Sequence, residues 1–495
     1  MRRVEEEDSS PGRVSPRLKQ FLMNPPEIEL CLLLSRAQLS PQAWERALEL
    51  LSTPLRWEFL LERAKAFGLF PLVYTGLSTH GLVRALGRLT DGGEEYILIT
   101  NPRHADWLNP YLGPNQRAVP APERKRTRWD RAKALLGPLR SPAGTLWRGA
   151  RSVFSSPAPL PDPKVPESGG FFESFGADLI HFPTPEYTRS ALPVVYNPHD
   201  LQHLHYPQFF SPADMRWREV FYPAACHEAQ VVATDCAEVK RDLVKQFGLD
   251  PGKIFVVRWS SPTAFYEEVR PEDLPKVQQK FGLPRSFAFY PAQTWIHKNH
   301  IRLLEAIGLL RDRHGIRLNL VCTGAKNRYW PTIRRRVRGL KLGGQVRFLG
   351  YVSPGDLRAL YHLAQFLVFP SLFEGGGLPV VEGLEEGAPV VCSDIPPLRE
   401  YGGDAVLTFD PQSVECIAAR LKEISGDEAL RERMRQRGRE RMRRFTWERT
   451  GKTYRALYRK AAKAVLSEED LELLSGDTAL EARGRFSASG MEGMI

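Results

Sequence analysis

The chain has 495 residues, of which 42% are hydrophobic and 26% are charged, and its formal net charge is +11. This composition is ordinary for a globular protein, and the length exceeds what one compact core supports, so we expect two or three domains. The sequence has no run of about 18 apolar residues, and its first residues lack the apolar core of a signal peptide, which argues against a membrane span and a secretory leader.

The six cysteines are scattered along the chain and form no C-x-x-C pair. This pattern argues against a disulfide framework and against a zinc site. It is typical of proteins in a reducing compartment. We therefore predict a cytoplasmic location. Because the chain is basic and basic segments bind anionic membrane surfaces, this location extends to peripheral contact with the inner face of the membrane.

Arginines are concentrated in two segments, 117–151 and 431–444. Basic segments bind phosphates, anionic membrane surfaces or nucleic acids. No RNA- or DNA-binding signature accompanies either segment, so a nucleic-acid partner rests on charge alone and is not favoured. The first segment fits two interpretations, a stretch that touches a membrane surface and a mobile insertion. The second reads as a solvated helix face.

The beginning of the chain differs from the rest. Residues 1–16 are predicted to be disordered, and 17–79 read as a helical N-terminal extension. The extension resembles the helical part of an uncharacterised bacterial nucleotidyltransferase-like family. The G-S and D-x-D residues that would carry nucleotidyl transfer are absent from the sequence, so we assign the extension a structural or interaction role.

Residues 80–262 are predicted to form a first α/β domain, with a basic, proline-rich insertion over 114–176. Helices are expected over 211–229 and 236–248. Short apolar runs bounded by turn residues predict its strands, which are 95–100, 177–183, 193–200, 230–235 and 253–260.

Residues 263–445 are predicted to form a second α/β domain, in which strands and amphipathic helices alternate, as in a parallel sheet. A helix over 446–466 is expected to cross back to the first domain, and 467–495 to form a flexible tail. The predicted fold is thus α/β, with two Rossmann-like, doubly wound domains facing a cleft. The strands of the second domain are 286–291, 316–324, 345–350, 366–371, 389–394 and 405–410.

The most informative segment is 369–394, in which Glu374 and Glu382 stand eight positions apart. A buried strand there leads into three glycines, Gly375–Gly377, which let the backbone approach a ligand closely. A helix opens at Pro379, and the free N–H groups of its first turn suit an anion. One carboxylate can then reach sugar hydroxyls and the other a ribose, on either side of a diphosphate. A rival use of the two carboxylates is the acid/base pair of glycoside hydrolysis, but the glycine loop and the helix favour phosphate.

This segment resembles the donor-site motif E-G-F-G-L-P-x-x-E of retaining GT-B glycosyltransferases of family 4, the glycogen-synthase-like class, with Gly376 in place of the usual aromatic residue. The resemblance implies sugar transfer from a UDP- or GDP-type nucleotide sugar to a glycan or lipid-linked acceptor in bacterial surface polysaccharide synthesis. It implies no metal and no other cofactor. Catalysis would fall to Glu374, which holds the sugar hydroxyls, together with Lys298 and His199.

The resemblance also implies roles for other positions. Lys298 carries positive charge beside the diphosphate, and Gln293 stands where the family has an arginine. On the facing side, His199 and Asp200 resemble the family's H-D pair, with His203 nearby on the acceptor side. The nucleotide sugar would be bound by Glu382, Gly375, Gly376, Gly377, Leu378, Gln293, Gly324, Tyr351 and Val352.

Two alternatives remain open at this point. His199, Asp200, His203 and His205 could be read as a metal cluster, although the absence of a D-x-D motif and the neighbouring leucines favour a loop packed on the core. In addition, the family's opening strand and glycine turn are replaced here by the helices of 17–79. This departure, together with Gln293, motivates the alternative of a catalytically weakened nucleotide-sugar-binding or scaffold protein with a truncated first domain.

Overall fold

The computed structural model describes residues 81–100, 109, 111–121, 163–266 and 268–475, all of which belong to one compact unit, Leu72–Ile495. The disorder predicted for 1–16 and the helices predicted for 17–79 lie outside these residues. So does most of the arginine-rich segment 117–151. No described helix has the combination of length and apolar character that crossing a membrane requires.

The first domain has parallel strands only, arranged in two sheets within the described residues. Strands β3 to β6 form a four-stranded sheet in sequential order, whereas β1 pairs with β2 alone. In chain order, β1 to β6 are Tyr96–Thr100, Gln116–Pro120, Ile180–Phe182, Val194–Tyr196, Val231–Thr234 and Ile254–Val256.

Strand β2 lies within the basic, proline-rich insertion 114–176, for which no strand is predicted before residue 177, and so corrects that prediction. Its sequence, QRAVP, is too polar to read as a strand, and side-chain hydrogen bonds fix its position. Asn115 Nδ2 donates to the Leu89 carbonyl over 2.8 Å, and Gln116 Nε2 donates to the Val83 carbonyl over 2.8 Å. These bonds join β2 to carbonyls within and just after the helix over 81–87.

The second domain contains one six-stranded parallel sheet, whose order is β12-β11-β10-β7-β8-β9. Read from the other edge, this order is 3-2-1-4-5-6, that of a doubly wound Rossmann sheet. The direction of strand order reverses between β7 and β10, and ligands bind at the carboxyl ends of strands at such a reversal. Strands β7 to β12 are Ala288–Pro291, Leu320–Thr323, Val346–Gly350, Phe366–Phe369, Val390–Ser393 and Val406–Phe409.

The helices of the described residues, α1 to α14, cover the faces of these sheets. In chain order they are 81–87, Gln202–His205, Pro212–Glu228, Ala237–Phe247, Leu274–Lys280, His300–His314, Trp330–Gly339, Pro354–Leu363, Leu378–Glu385, Pro396–Gly402, Val414–Gly426, Glu428–Met442, Trp447–Ala461 and 468–475.

Helix α13 is the helix expected over 446–466, and it packs on the first domain. Its Tyr454 and Leu457 share an apolar cluster with Val195 of β4 and Val231 of β5. Asn197 Nδ2 donates to the Tyr454 hydroxyl over 2.6 Å. Burial of a continuous apolar face together with satisfied polar groups holds the last long helix against the first sheet.

Helix α14 corrects the prediction of a flexible tail from residue 467. Ser467 Oγ accepts from the Asp470 N–H, and Asp470 Oδ2 accepts from the Ser467 N–H, so this pair caps the helix. Asp470 is buried and also accepts from Arg459 Nη1 over 2.8 Å. The residues from 476 onward lie outside the described part.

Candidate functional site

A cleft between the two domains gathers residues that follow the carboxyl ends of strands on both sides. In the first domain these strands are β3, β4, β5 and β6, and in the second they are β7 and β10, which flank the reversal of strand order. A ligand in this cleft would therefore contact both sheets at the edge where α/β proteins bind ligands. The lining residues are Pro183, His199, Asp200, Asp235, Trp259, Lys298, Glu374, Gly375, Gly376, Gly377, Leu378, Pro379 and Tyr401.

Lys298 and Glu374 form an ion pair across the strand reversal. Lys298 Nζ lies 2.5 Å from Glu374 Oε1, and the two side chains are only 16% and 11% exposed. The backbone carbonyl of Lys298 accepts a hydrogen bond from the Tyr290 hydroxyl. The cleft thus holds a fixed cation whose charge is balanced by a carboxylate that itself faces the cleft.

The glycine loop brings backbone close to both domains. A Cβ on Gly375 would lie 2.7 Å from the carbonyl oxygen of His199, a distance that real Cβ atoms do not show. Gly377 has φ 69° and stands at the N-cap of α9, where the left-handed conformation favours glycine. Within the described residues no side chain caps α9. Its first turn therefore presents the positive end of the helix dipole to the cleft.

His199 lies at the facing wall in an unusual backbone conformation, with φ 61°. Its Nδ1 is 3.2 Å from Asp235 Oδ2, and its Nε2 is 2.8 Å from the Pro183 carbonyl oxygen. Burial lowers the pKa of His199, but the charge and hydrogen bond of Asp235, the hydrogen bond to the Pro183 carbonyl and the charge of Asp200 together outweigh it and raise the pKa to about 9. Both ring nitrogens face acceptors, so the imidazolium fits this environment.

Asp200 follows His199 and also lines the cleft. Its Oδ1 accepts from the Gln202 N–H over 2.9 Å. Burial raises the pKa of Asp200 above its ordinary value, against the opposing effect of this hydrogen bond and of the nearby Arg218 and His199 charges.

His203, expected on the acceptor side, lies instead in the core of the first domain. It is 1% exposed, and its ring packs 4.9 Å from the ring of Tyr222. Burial lowers the pKa of His203 to about 4, so the side chain is neutral. His205 Nε2 pairs with Asp242 over 2.6 Å. The histidines of this loop therefore have separate surroundings, and the described residues contain no group of three or more His, Cys, Asp or Glu side chains suited to a metal ion.

Glu382 is also buried, at 2% exposure, and it does not line the cleft. Its Oε2 accepts from the Tyr361 hydroxyl over 2.6 Å, while its Oε1 has no hydrogen-bond partner among the described residues. Burial raises the pKa of Glu382 to about 7. A buried oxygen without a partner is costly for the protein.

The remaining predicted contacts cluster at the carboxyl ends of β7, β8 and β9. Gly324 has φ 105°, and a Cβ there would lie 2.5 Å from the Ala292 carbonyl oxygen. Gln293 Oε1 accepts from Trp295 Nε1 over 3.0 Å. Burial raises the pKa of Tyr351 to about 12, and Val352 is buried. The structure thus brings these residues to the same sheet edge, although they do not line the cleft around Lys298.

Four residues that line the cleft were not predicted as site residues from the sequence, namely Pro183, Asp235, Trp259 and Tyr401. Trp259 Nε1 donates to Asp235 Oδ1 over 2.9 Å, and the Tyr401 hydroxyl donates to the Asp235 carbonyl over 3.1 Å. Asp235 could have been found, because it is the last residue of the predicted strand 230–235 of a parallel sheet. Tyr401 carries no such signal, since it reaches the cleft from helix α10 of the other domain.

Comparison with known proteins identifies related chains. Residues 275–441 match the family model described as glycosyl transferases group 1. Over 255 residues the chain is 30% identical to the O-antigen chain mannosyltransferase B of Escherichia coli. The aligned region covers 50% of this chain and 66% of that protein, just under two thirds of its length.

Solved structures show the fold. A glycosyltransferase from Rickettsia africae superposes with a TM-score of 0.56 at 15% identity, over 79% of this chain and 97% of that one. The Anabaena protein HepE, solved in complex with UDP and glucose, superposes with a TM-score of 0.53 at 16% identity, over 74% of this chain and 100% of that one. The GT-B fold expected from the Glu374–Glu382 motif is therefore confirmed.

Proposed function

We propose that this chain, whose residues 275–441 match the glycosyl transferases group 1 model, transfers a sugar from a nucleotide-sugar donor to a glycan or lipid-linked acceptor in surface polysaccharide synthesis. The observation that carries this proposal is the Lys298–Glu374 pair at the strand reversal, beside the glycine loop and the start of α9. The E. coli relative, named as an O-antigen mannosyltransferase, supports a polysaccharide product and makes a mannosyl donor the first to test.

The chemistry of the site follows from charge. Glycosyl transfer releases a nucleoside diphosphate, so negative charge develops on the leaving group. Lys298 supplies a cation next to the loop, and the first turn of α9 supplies the positive end of its dipole. We assign the diphosphate to this region.

Glu374 is assigned to the donor sugar. Its carboxylate faces the cleft, and in the protein without ligand it is paired with Lys298. When a diphosphate takes over the interaction with Lys298, Glu374 can accept hydrogen bonds from sugar hydroxyls. Transfer would proceed with retention of configuration, and the proton of the attacking hydroxyl would pass to the leaving phosphate, so that no side chain forms a covalent intermediate.

Glu382 is assigned to the nucleoside through its unpartnered Oε1. Glycoside hydrolysis requires two carboxyl groups on either side of the scissile bond. Only Glu374 lines the cleft, whereas Glu382 is buried against Tyr361. This arrangement does not support a hydrolase that uses the two glutamates as an acid/base pair.

A second candidate function is nucleotide-sugar binding without efficient turnover. Gln293 is neutral where the family has an arginine, and its Oε1 is bound to Trp295, so it adds no charge to the diphosphate region.

Membrane contact through the basic segment 117–151 and a cytoplasmic location remain predictions. The segment lies mostly outside the described residues.

A screen of nucleotide sugars separates the two candidates. GDP-mannose, UDP-glucose and UDP-N-acetylglucosamine are compared for thermal stabilisation of the protein and for release of nucleoside diphosphate, with Glu374→Ala as the control. Stabilisation with release supports the transferase, and stabilisation without release supports the binding protein. Melting that is independent of every nucleotide sugar would contradict both.

A further inference from the structure

We propose that Asp235 is a positioning residue that holds the His199 ring as a fixed imidazolium at the wall of the cleft, which gives the donor diphosphate a second cation beside Lys298. The part of this inference that concerns the diphosphate rests on the proposed function. The part that concerns the charge on His199 does not, because it follows from the protein alone.

The hydrogen-bond partners of His199 define its protonation. Nδ1 lies 3.2 Å from a carboxylate oxygen of Asp235, and Nε2 lies 2.8 Å from the carbonyl oxygen of Pro183. A neutral imidazole has one N–H donor and one nitrogen lone pair, so it would direct that lone pair at an oxygen. Only the imidazolium donates to both oxygens.

Asp235 is itself held in place from two directions. Its second carboxylate oxygen accepts from Trp259 Nε1 over 2.9 Å. The backbone carbonyl of Asp235 accepts a hydrogen bond from the hydroxyl of Tyr401, and that hydroxyl accepts one from the backbone N–H of Trp259 over 3.1 Å. Because Tyr401 belongs to the second domain, the orientation of Asp235 is set by contacts across the cleft as well as within the first domain.

The other ionisable groups around His199 do not replace Asp235. His181, from β3, has its pKa lowered to about 4 by burial and is neutral. Asp200 follows His199 and adds a smaller attraction than Asp235 does. Lys298 and Glu374 face His199 across the cleft as a mutually compensated pair. Asp235 thus makes the largest of the favourable contributions that, together with those of the Pro183 carbonyl and Asp200, offset the cost of burying a charged His199 ring.

The consequence for a ligand is electrostatic. Both N–H groups of His199 already have acceptors in the protein, so the ring contributes a positive charge at a fixed place rather than a free hydrogen-bond donor. Without Asp235, burial would favour the neutral ring, and the cleft would keep Lys298 as the cation next to the diphosphate. Preorganised charge of this kind favours a leaving group that becomes more negative as the bond to the sugar breaks.

The variant Asp235→Asn tests this inference, with Asp242→Asn as the matched control, because Asp242 pairs with His205 away from the cleft lining. Histidine side chains are titrated by NMR in the unliganded protein, with His199→Gln to assign the signal among the 11 histidines. We expect His199 to titrate near pH 9 in the parent protein and in Asp242→Asn. In Asp235→Asn we expect its pKa to fall below the ordinary value of about 6.5.

A parent protein in which His199 titrates at or below its ordinary pKa overturns the proposal, and so does an unchanged His199 pKa in Asp235→Asn. Asp235→Glu keeps the charge and is expected to restore the raised pKa, which separates loss of charge from loss of structure. If Asp235→Asn does not fold, Trp259→Phe is used instead, because it removes the indole hydrogen bond to Asp235 and keeps the carboxylate. We then expect the pKa of His199 to stay above its ordinary value and its NMR signal to broaden.

The role toward the diphosphate has its own readout, the Kd of UDP and of GDP as a function of pH. We expect Asp235→Asn to weaken binding at pH 7.5 about tenfold and Asp242→Asn to leave it unchanged. If the His199 pKa falls in Asp235→Asn while the Kd does not change, the diphosphate role is wrong. A parent protein that binds neither nucleotide contradicts the proposed function, and the NMR titration still decides the role of Asp235.

Discussion

Gly375 of the second domain touches the backbone of His199 in the first, so that an added Cβ would lie 2.7 Å from the His199 carbonyl oxygen. The two domains therefore meet at the glycine loop, and the loop can reach the facing wall only without a side chain at this position. The neighbouring Gly376 is less constrained, since a Cβ there would meet Asp235 at 3.4 Å, an ordinary van der Waals distance.

This contrast predicts different outcomes for two small substitutions. Gly375→Ala forces the domains apart at the loop and is expected to lower the free energy of unfolding by roughly 1–3 kcal/mol, as overpacking does. It is also expected to weaken nucleotide binding. Gly376→Ala is the control and is expected to change stability by less than about 0.5 kcal/mol. Urea unfolding of both variants checks this, and equal effects would contradict the contact across the cleft.

The Lys298–Glu374 pair predicts strong coupling between its members. Replacing one member leaves the other charge largely buried without compensation, so Lys298→Met and Glu374→Gln are each expected to cost about 3 kcal/mol. The double variant is expected to cost clearly less than the sum. A double-mutant cycle in urea measures the coupling, and additive effects would show that the pair is not formed in solution.

Lys298→Met is further expected to weaken the binding of nucleoside diphosphates at least about tenfold, because the cation nearest the glycine loop is lost. Isothermal titration with UDP and GDP measures this. Arg302→Met is a suitable control, because Arg302 donates to the Asn299 side chain and does not line the cleft.

The burial of Glu382 predicts that its protonated form favours folding, whereas its ionised form is the one proposed to bind the ribose. Its folded-state pKa of about 7 lies above its ordinary value of 4.5. The protonated form is therefore favoured by folding, and its contribution to stability is complete below pH 4.5 and is lost as the pH rises through 7. A shift of this size corresponds to a change on the order of 3 kcal/mol.

Glu382→Gln keeps an acceptor for the Tyr361 hydroxyl and cannot ionise. We expect the variant to be more stable than the parent at pH 8, and the difference to shrink at pH 5. At pH 8 it should also bind nucleotides more weakly, because the charged acceptor proposed for the ribose is absent. Denaturation at the two pH values tests the first expectation, and a stability difference that does not depend on pH would contradict the buried ionisation.

Tyr454 predicts how firmly α13 is attached to the first domain. Tyr454→Phe leaves the buried Nδ2 of Asn197 without its acceptor, which should cost about 1–3 kcal/mol. If Tyr454→Phe is neutral, the hydroxyl is not a structural contact between helix and sheet.

Much of the second domain could be predicted, because its apolar runs are separated by glycine and proline at the places where strands and helices end. The glycine loop and the start of α9 at Leu378–Pro379 follow from such local signals. Strand β2 could not be predicted in this way, since Asn115 and Gln116 hold it through side-chain bonds to a distant helix.

The residues of the site also divide into those that local sequence signals predict and those whose surroundings depend on distant side chains. Lys298, Glu374 and His199 could be predicted because each lies near the end of a predicted strand or shortly after it, within a recognisable motif. The burial of His203 and of Glu382 could not, because it depends on Tyr222 and Tyr361, which no local pattern connects to them. Contacts of this kind arise only when distant elements pack together.

The central claim, that this cleft transfers a sugar from a nucleotide donor, is tested most directly by measuring nucleoside diphosphate release with each nucleotide sugar in the presence of a lipid-linked glycan acceptor. We expect release with at least one donor, GDP-mannose first among them, and a loss of about 100-fold or more in Glu374→Ala, because this carboxylate faces the donor sugar. Release that is unchanged in Glu374→Ala, or no release with any donor, would contradict the claim.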